Sequence, residues 1–91
     1  MFIYLADQKT KERKSFIKPN ELEEDLLERV EQNEFDLILK QGEKRFQISW
    51  LQETEETIII EFYKGALVKQ TEFYFVESAI DEIVEAFQLE N

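Results

Sequence analysis

The chain has 91 residues, and its 21 acidic side chains outnumber its 11 basic ones, which gives a net charge of −10. It contains no histidine and no cysteine, which excludes imidazole and thiolate catalysis, disulfides and zinc sites built on those ligands. Hydrophobic residues make up 43% of the chain, enough for the core of one small domain over residues 1–91.

The N-terminal part of the chain predicts a β-hairpin of two strands, at residues 2–6 and 12–17. Residues 1–18 contain five basic and two acidic side chains, whereas residues 19–91 contain six basic and nineteen acidic ones. We expect the basic segment at residues 9–18 to be a solvated hairpin that pairs internally with the acidic remainder. Anion binding by this segment is the alternative, although its pattern matches no phosphate motif. The apolar start of the chain lacks the basic residues of an export signal, so the expected location is the cytoplasm.

A helix is predicted to follow the hairpin. Asn20 is a suitable N-cap residue, and Glu23 three positions later completes a capping box. Apolar residues then recur at helical spacing, and the helix is expected to end near Asn33. The apolar stripe comprises Leu22, Leu26 and Val30.

The second half of the chain predicts four strands and a final helix. The strands are predicted at residues 35–40, 45–51, 57–63 and 67–76. Ser78 is the predicted cap of the last helix, whose apolar stripe is Ile80, Ile83, Val84 and Phe87. The order hairpin, helix, four-strand meander, helix predicts an α+β fold. Its antiparallel sheet would contain four to six strands, with both helices packed on one face.

Strand alternation divides the predicted sheet into two faces. The face assigned to the core carries Phe46, Ile48, Trp50, Ile58, Ile60, Phe62, Phe73 and Phe75. The other face is mixed, and three of its residues, Ile59, Tyr63 and Tyr74, are candidates for an exposed interface. Two interpretations stay open for them, a homodimer or partner surface, and a half-polar sheet face that simply meets water.

Acidic residues on the first predicted helix form the main candidate site. Spacing at 100° per residue assigns five carboxylates to the side opposite the apolar stripe. They are Glu21, Glu24, Asp25, Glu28 and Glu31. Such a ridge suits a basic partner, and a solvated acidic face is the alternative interpretation. Further acidic groups occur on the last helix and at residues 53, 55 and 56.

The composition favours binding over catalysis. The serines have no histidine partner, the two glycines cannot form a phosphate-binding loop, and no calcium-loop motif is present. We therefore expect no enzymatic activity, no cofactor and no metal. The net charge disfavours direct contact with nucleic acid or an anionic membrane.

The expected function is that of a small acidic intracellular module that binds a protein with a basic surface. An inhibitor or nucleic-acid mimic of the phage or mobile-element type is one concrete version. The alternative is a structural or oligomerising domain that dimerises through the exposed sheet face.

Overall fold

A computed structural model describes residues 1–32, 34–51, 53 and 56–88 of the chain. These residues form six strands and two helices. In chain order they are β1 (Ile3–Asp7), β2 (Arg13–Phe16), α1 (Pro19–Gln32), β3 (Phe35–Gln41), β4 (Lys44–Leu51), β5 (Glu56–Tyr63), β6 (Ala66–Phe73) and α2 (Val76–Gln88).

All six strands belong to one antiparallel sheet with the order β2-β1-β3-β4-β5-β6. β1 pairs with β2 on one side and with β3 on the other. The segment that contains α1 therefore carries the chain from the edge strand β2 past β1 to β3. From β3 to β6, each strand pairs with the next one along the chain. The predicted α+β fold, with its hairpin and four-strand meander, is confirmed.

Tight turns close two hairpins of the meander, β3–β4 and β5–β6. Lys64 and Gly65 connect β5 to β6 with φ angles of 51° and 82°. Two successive residues with positive φ are typical of a type I′ turn, whose twist matches that of the flanking strands. Gly42, with φ of 62°, takes the first position of the turn between β3 and β4. These turns fix the register of the strands that they join.

Both helices lie on the same face of the sheet and enclose a single core. α1 packs beside α2 and against β2, and α2 packs over β5 and β6. Leu22 of α1 and Ile83 of α2 are completely buried. The ring of Phe87 meets Phe46 of β4 edge-on, with 5.3 Å between ring centroids. Burial of each such side chain contributes about 1.5–3 kcal/mol, so this helix-facing side of the sheet supplies most of the stability.

The start of α1 differs from the predicted one. The helix begins at Pro19, so Asn20 lies within the first turn and is not its N-cap. The backbone N–H of Glu21 donates to the carbonyl of Lys18 at 3.1 Å. Proline suits the first helical position because its φ is preset and its missing N–H would have no helical partner there. The predicted end near Asn33 lies outside the described residues.

The last helix also begins earlier than predicted. α2 starts at Val76, two residues before Ser78, so that serine does not cap it. Val76 is itself buried and adds to the apolar side of the helix. The predicted stripe is confirmed, since all four of its residues are buried: Ile80, Ile83, Val84 and Phe87.

The side chains of β5 that point into the core are not the predicted ones but those that alternate with them. Ile59 is 4% exposed and lies opposite Ile48, and directly opposed residues of paired strands share a face. The residues predicted for the core, Ile58, Ile60 and Phe62, therefore lie on the face away from the helices. Three consecutive isoleucines fit either alternation, and a shift of one residue exchanges the two faces completely.

The other residues predicted for the core are buried or pack against it, with one exception. Phe46 and Ile48 are buried, and Trp50 and Phe73 pack against the core from its margin. Phe75 is 70% exposed, because β6 ends at Phe73 and the alternation of the strand no longer applies beyond it.

Candidate functional site

The outer surface of the two helices carries a dense group of acidic side chains. α1 contains six acidic residues and α2 four, and the only basic residue in either helix is Arg29. Since α1 and α2 pack side by side, their exposed acidic residues lie on the same side of the sheet. Eight of these carboxylates are exposed and form what we call the acidic helix layer: Glu21, Glu24, Glu28, Glu31, Glu77, Asp81, Glu82 and Glu85.

Four of the five residues predicted for the acidic ridge are exposed, and Asp25 is not. Asp25 is 8% exposed and belongs to the buried side of α1. At 100° per residue it lies only about 60° from Leu22 around the helix axis, so the prediction that it lies opposite the apolar stripe is wrong. The ridge therefore consists of Glu21, Glu24, Glu28 and Glu31.

Asp25 belongs instead to a group of ion pairs that we call the Arg29 network. The Nε of Arg29 donates to Asp25 at 2.6 Å, and its two terminal nitrogens donate to Asp7 at 2.8 Å and to Glu12 at 2.6 Å. The other carboxylate oxygen of Asp25 accepts from Lys14 Nζ at 2.8 Å. One guanidinium group thus ties α1 to the β1–β2 hairpin.

Electrostatic shifts in the Arg29 network favour the charged forms of its cations. The hydrogen bond to Asp25 raises the pKa of Lys14. Burial lowers it, but this hydrogen bond and the charges of Asp25 and Glu12 together outweigh burial. Burial lowers the pKa of Arg29, but its hydrogen bonds to Asp25 and Glu12 outweigh that effect and leave the pKa raised. Both cations are therefore held by the network and are not available to neutralise the acidic helix layer.

Asp7 links the Arg29 network to the turn that follows β1. One oxygen of its carboxylate accepts hydrogen bonds from the backbone N–H groups of Lys9 and Thr10, at 2.9 and 3.1 Å. Lys11 follows with φ of 67°, and its N–H donates to the carbonyl of Asp7 at 2.8 Å. The other Asp7 oxygen remains for Arg29. The network therefore stabilises both the turn after β1 and the contact of α1 with the hairpin.

The basic segment at residues 9–18 pairs internally only in part. Lys9 forms an ion pair with Glu34 at 3.3 Å, and Lys14 with Asp25 at 2.8 Å. Arg13 points to the opposite face of the sheet from Lys14 and has no carboxylate within 4 Å among the described residues. Part of the positive charge of the hairpin therefore stays unneutralised.

The three residues predicted for a sheet interface do not form one surface. Ile59 is buried under the helices. Tyr63 ends β5 and is 51% exposed, whereas Tyr74 follows β6 and is 86% exposed. They lie at opposite ends of the β5–β6 hairpin, because Phe73 pairs with Thr57, and six residues of strand correspond to about 20 Å. A dimer surface built from these three residues is therefore not supported.

The remaining acidic cluster is only partly described. Glu53 is exposed and Glu56 belongs to β5, while position 55 lies outside the described residues. Within the described ranges, no three acidic side chains are grouped so that they could hold a metal ion. In the same ranges, neither helix has the length and apolar character needed to cross a membrane.

Comparison with known proteins gives no assignment. No protein-family model, curated protein or solved structure matches the chain significantly.

Proposed function

We propose that this chain is a small protein-binding module that docks its acidic helix layer on the basic surface of a partner protein. The observation that supports this most is the ratio of ten acidic residues to one arginine in the two helices. That arginine is directed inward, and its side chain is only 10% exposed. The layer thus presents carboxylates with few cations among them.

The acidic layer carries an energetic cost that a basic partner would relieve. Glu24 and Glu28 are four residues apart, and Glu28 and Glu31 three, so they are neighbours on the helix surface. Each like-charge pair costs about 0.2–0.5 kcal/mol. Glu31 also lies in the last turn of α1, where the helix dipole disfavours negative charge. Lysine or arginine side chains of a partner would reverse both effects.

A protein that normally binds a polyanion is the favoured partner. A row of exposed carboxylates attracts the same cationic groove that binds a phosphate backbone, and opposite charges accelerate the encounter. Inhibition of a nucleic-acid-binding protein by mimicry is the concrete version of this function. As part of the same proposal, we place the interaction in the cytoplasm.

Charge reversal tests the proposal. We would capture the partner from the native cell, purify it, and measure its affinity for a variant with Glu24→Lys, Glu28→Lys and Glu31→Lys. Three exposed ion pairs at up to about 1 kcal/mol each correspond to a loss of affinity of roughly 10- to 100-fold. Affinity of the unmodified protein should also fall steeply as salt is raised.

A matched control separates the helix layer from overall charge. Glu43→Lys, Glu53→Lys and Glu72→Lys change three exposed residues outside the helices. Both triple variants move the net charge from −10 to −4. The control should keep affinity within about threefold. An equal loss in both variants would show that only total charge matters, and would contradict the proposal.

A further inference from the structure

The face of the sheet away from the helices carries cations that the acidic remainder of the chain does not neutralise. Arg13, Lys40 and Arg45 all project from this face, as the strand register requires. None of the three has a carboxylate within 4 Å among the described residues. In a chain whose acidic residues outnumber basic ones almost two to one, three unpaired cations on one face are unexpected.

The register places two of these cations side by side. Lys40 of β3 lies directly opposite Arg45 of β4, and such residues have Cβ atoms about 4.5–5.5 Å apart. Like charges in that arrangement are destabilising. An aromatic residue flanks each cation in the same row of the sheet, since Tyr4 lies opposite Lys40 and Phe62 lies opposite Arg45. We call the row Tyr4, Lys40, Arg45 and Phe62 the cationic row.

Arg45 is held in place and remains incompletely satisfied. Its guanidinium lies over the ring of Phe62, with 4.3 Å between the guanidinium carbon and the ring centroid. Its Nε is buried and has no hydrogen-bond partner among the described residues. β3 also contains Asp36, but this acidic residue lies four positions from Lys40, or about 13 Å along the strand. Its carboxylate accepts a hydrogen bond from Ser49 at 3.1 Å. A preorganised arginine without an anion is thus left on this face.

A groove lies over this part of the sheet. Its volume is 420 Å³, and its lining includes Tyr4, Arg13, Ile38, Lys40 and Arg45. That volume is in the range of small-molecule sites, which combine an apolar floor with a few polar groups. Ile38 supplies apolar floor between the cations, and the ring of Tyr4 is 54% exposed. The groove therefore offers both a planar contact and positive charge.

From this geometry we propose that the groove binds a small organic phosphate, a phosphate monoester attached to a planar or aromatic body. A phosphate monoester carries a charge of about −1.5 to −2 at neutral pH, which matches the adjacent Lys40 and Arg45, whereas a monocarboxylate would neutralise only one of them. The planar body would lie against Tyr4. A long polyanion is disfavoured because such ligands need many cationic contacts, and the net charge of the protein is −10.

Ligand binding in the groove is independent of the function proposed for the helix layer. The groove and the helices lie on opposite faces of the sheet, and none of the three glutamates changed in the helix variant lines the groove. Exposed charges separated by more than about 8 Å are largely screened at physiological salt. The variant with Glu24→Lys, Glu28→Lys and Glu31→Lys in α1 should therefore bind the small ligand as tightly as the unmodified protein does.

Phenyl phosphate is a suitable probe, titrated against the isotope-labelled protein and followed by NMR. We expect saturable shifts at the amides of Tyr4, Lys40 and Arg45 and no comparable shifts in α1. Inorganic phosphate and benzoate should each bind at least about tenfold more weakly, a difference of about 1.4 kcal/mol. Equal affinity for inorganic phosphate would overturn the role of the planar body, and equal affinity for benzoate would overturn the preference for phosphate.

Two variants test the residues of the groove. Arg45→Gln should weaken phenyl phosphate binding at least about tenfold, and a thermal melt verifies that the variant is folded. Lys40→Gln, an exposed position, provides a second test that does not depend on Arg45. The matched control is Lys69→Gln, which removes one positive charge from the opposite face, where Lys69 contacts Glu82 at 3.9 Å. Unchanged binding in both groove variants, or a loss equal to that in the control, would contradict the proposal.

A single-stranded oligonucleotide of about ten residues separates the small ligand from a polymer. We expect it to bind no more tightly than phenyl phosphate does. Much tighter binding with a steep salt dependence would replace the small phosphate with a nucleic acid as the ligand.

Discussion

Arg29 is the residue on which most of the internal electrostatics depends. Its guanidinium bonds to Asp7, Glu12 and Asp25, and two of these carboxylates are less than 9% exposed. A buried carboxylate without a cation is costly, because the loss of solvation is no longer compensated. Arg29 thus makes it possible for two acidic residues to lie inside an already acidic protein.

Replacement of Arg29 should therefore destabilise the fold strongly. We expect Arg29→Met to lower the free energy of unfolding by about 3–5 kcal/mol, the usual cost of removing one partner of a buried ion pair. Urea denaturation followed by circular dichroism measures the change. Arg13→Met is the matched control, since Arg13 is exposed and has no ion-pair partner in the described part of the chain. It should change stability by less than about 0.5 kcal/mol.

A double variant, Arg29→Met with Asp25→Asn, distinguishes the loss of charge pairing from the loss of packing. Asp25→Asn should be destabilising on its own, yet less so, or even favourable, in the Arg29→Met background, because it removes a carboxylate that has lost its main partner. Simple additivity of the two changes would contradict this account of Arg29.

At the scale of elements, β5 distributes its apolar residues over both faces of the sheet. Ile59 enters the core beneath α2, whereas Ile60 is partly exposed on the face away from the helices. The register with β4 decides this, because Ile59 lies opposite Ile48 and Ile60 lies opposite Gln47. The orientation of β5 therefore depends on strand pairing and not on the hydrophobicity of β5 alone.

Truncation of these neighbouring isoleucines tests the orientation of the strand. Ile59→Ala should cost about 2–5 kcal/mol, as is usual for a fully buried isoleucine. Ile60→Ala removes the same atoms from a partly exposed site and should cost about 1 kcal/mol. Chemical denaturation of both variants gives the comparison, and a larger cost for Ile60→Ala would contradict the assignment of the two faces.

The same elements indicate how much of the molecule can be predicted from its sequence. The order of strands and helices follows from local signals such as the isoleucine-rich strand, the Lys64-Gly65 turn and the apolar stripe of α2. The orientation of β5 does not follow, since residues 58–60 are all isoleucine and only pairing with β4 selects one face.

The acidic site was predictable to a similar degree. Four of the five ridge residues are exposed, and the i,i+4 spacing of Asp25 and Arg29 was a local signal that Asp25 has a partner within the helix. The contacts of Arg29 with Asp7 and Glu12 arise only because the β1–β2 hairpin packs against α1. The cationic row likewise depends on which residues the register places side by side, and the sequence alone does not contain that information.

The whole molecule separates its charges by face. The acidic helix layer covers one side of the sheet, and the opposite side carries the cationic row and the groove beside it. The basic residues of the Arg29 network are held in ion pairs that join α1 to the β1–β2 hairpin. On this account the helix layer is the surface for a basic protein, and the sheet face is a separate site for a small anion.

The most direct test of the helix layer is site-specific photo-crosslinking in the native cell. A photo-reactive amino acid would replace Glu28 in one protein and Gln70, an exposed residue on the opposite face of the sheet, in a second protein. We predict that a basic protein is crosslinked from position 28 and not from position 70, and that raised salt suppresses the crosslink. Crosslinking of the same partner from position 70 alone, or equally from both positions, would contradict the account.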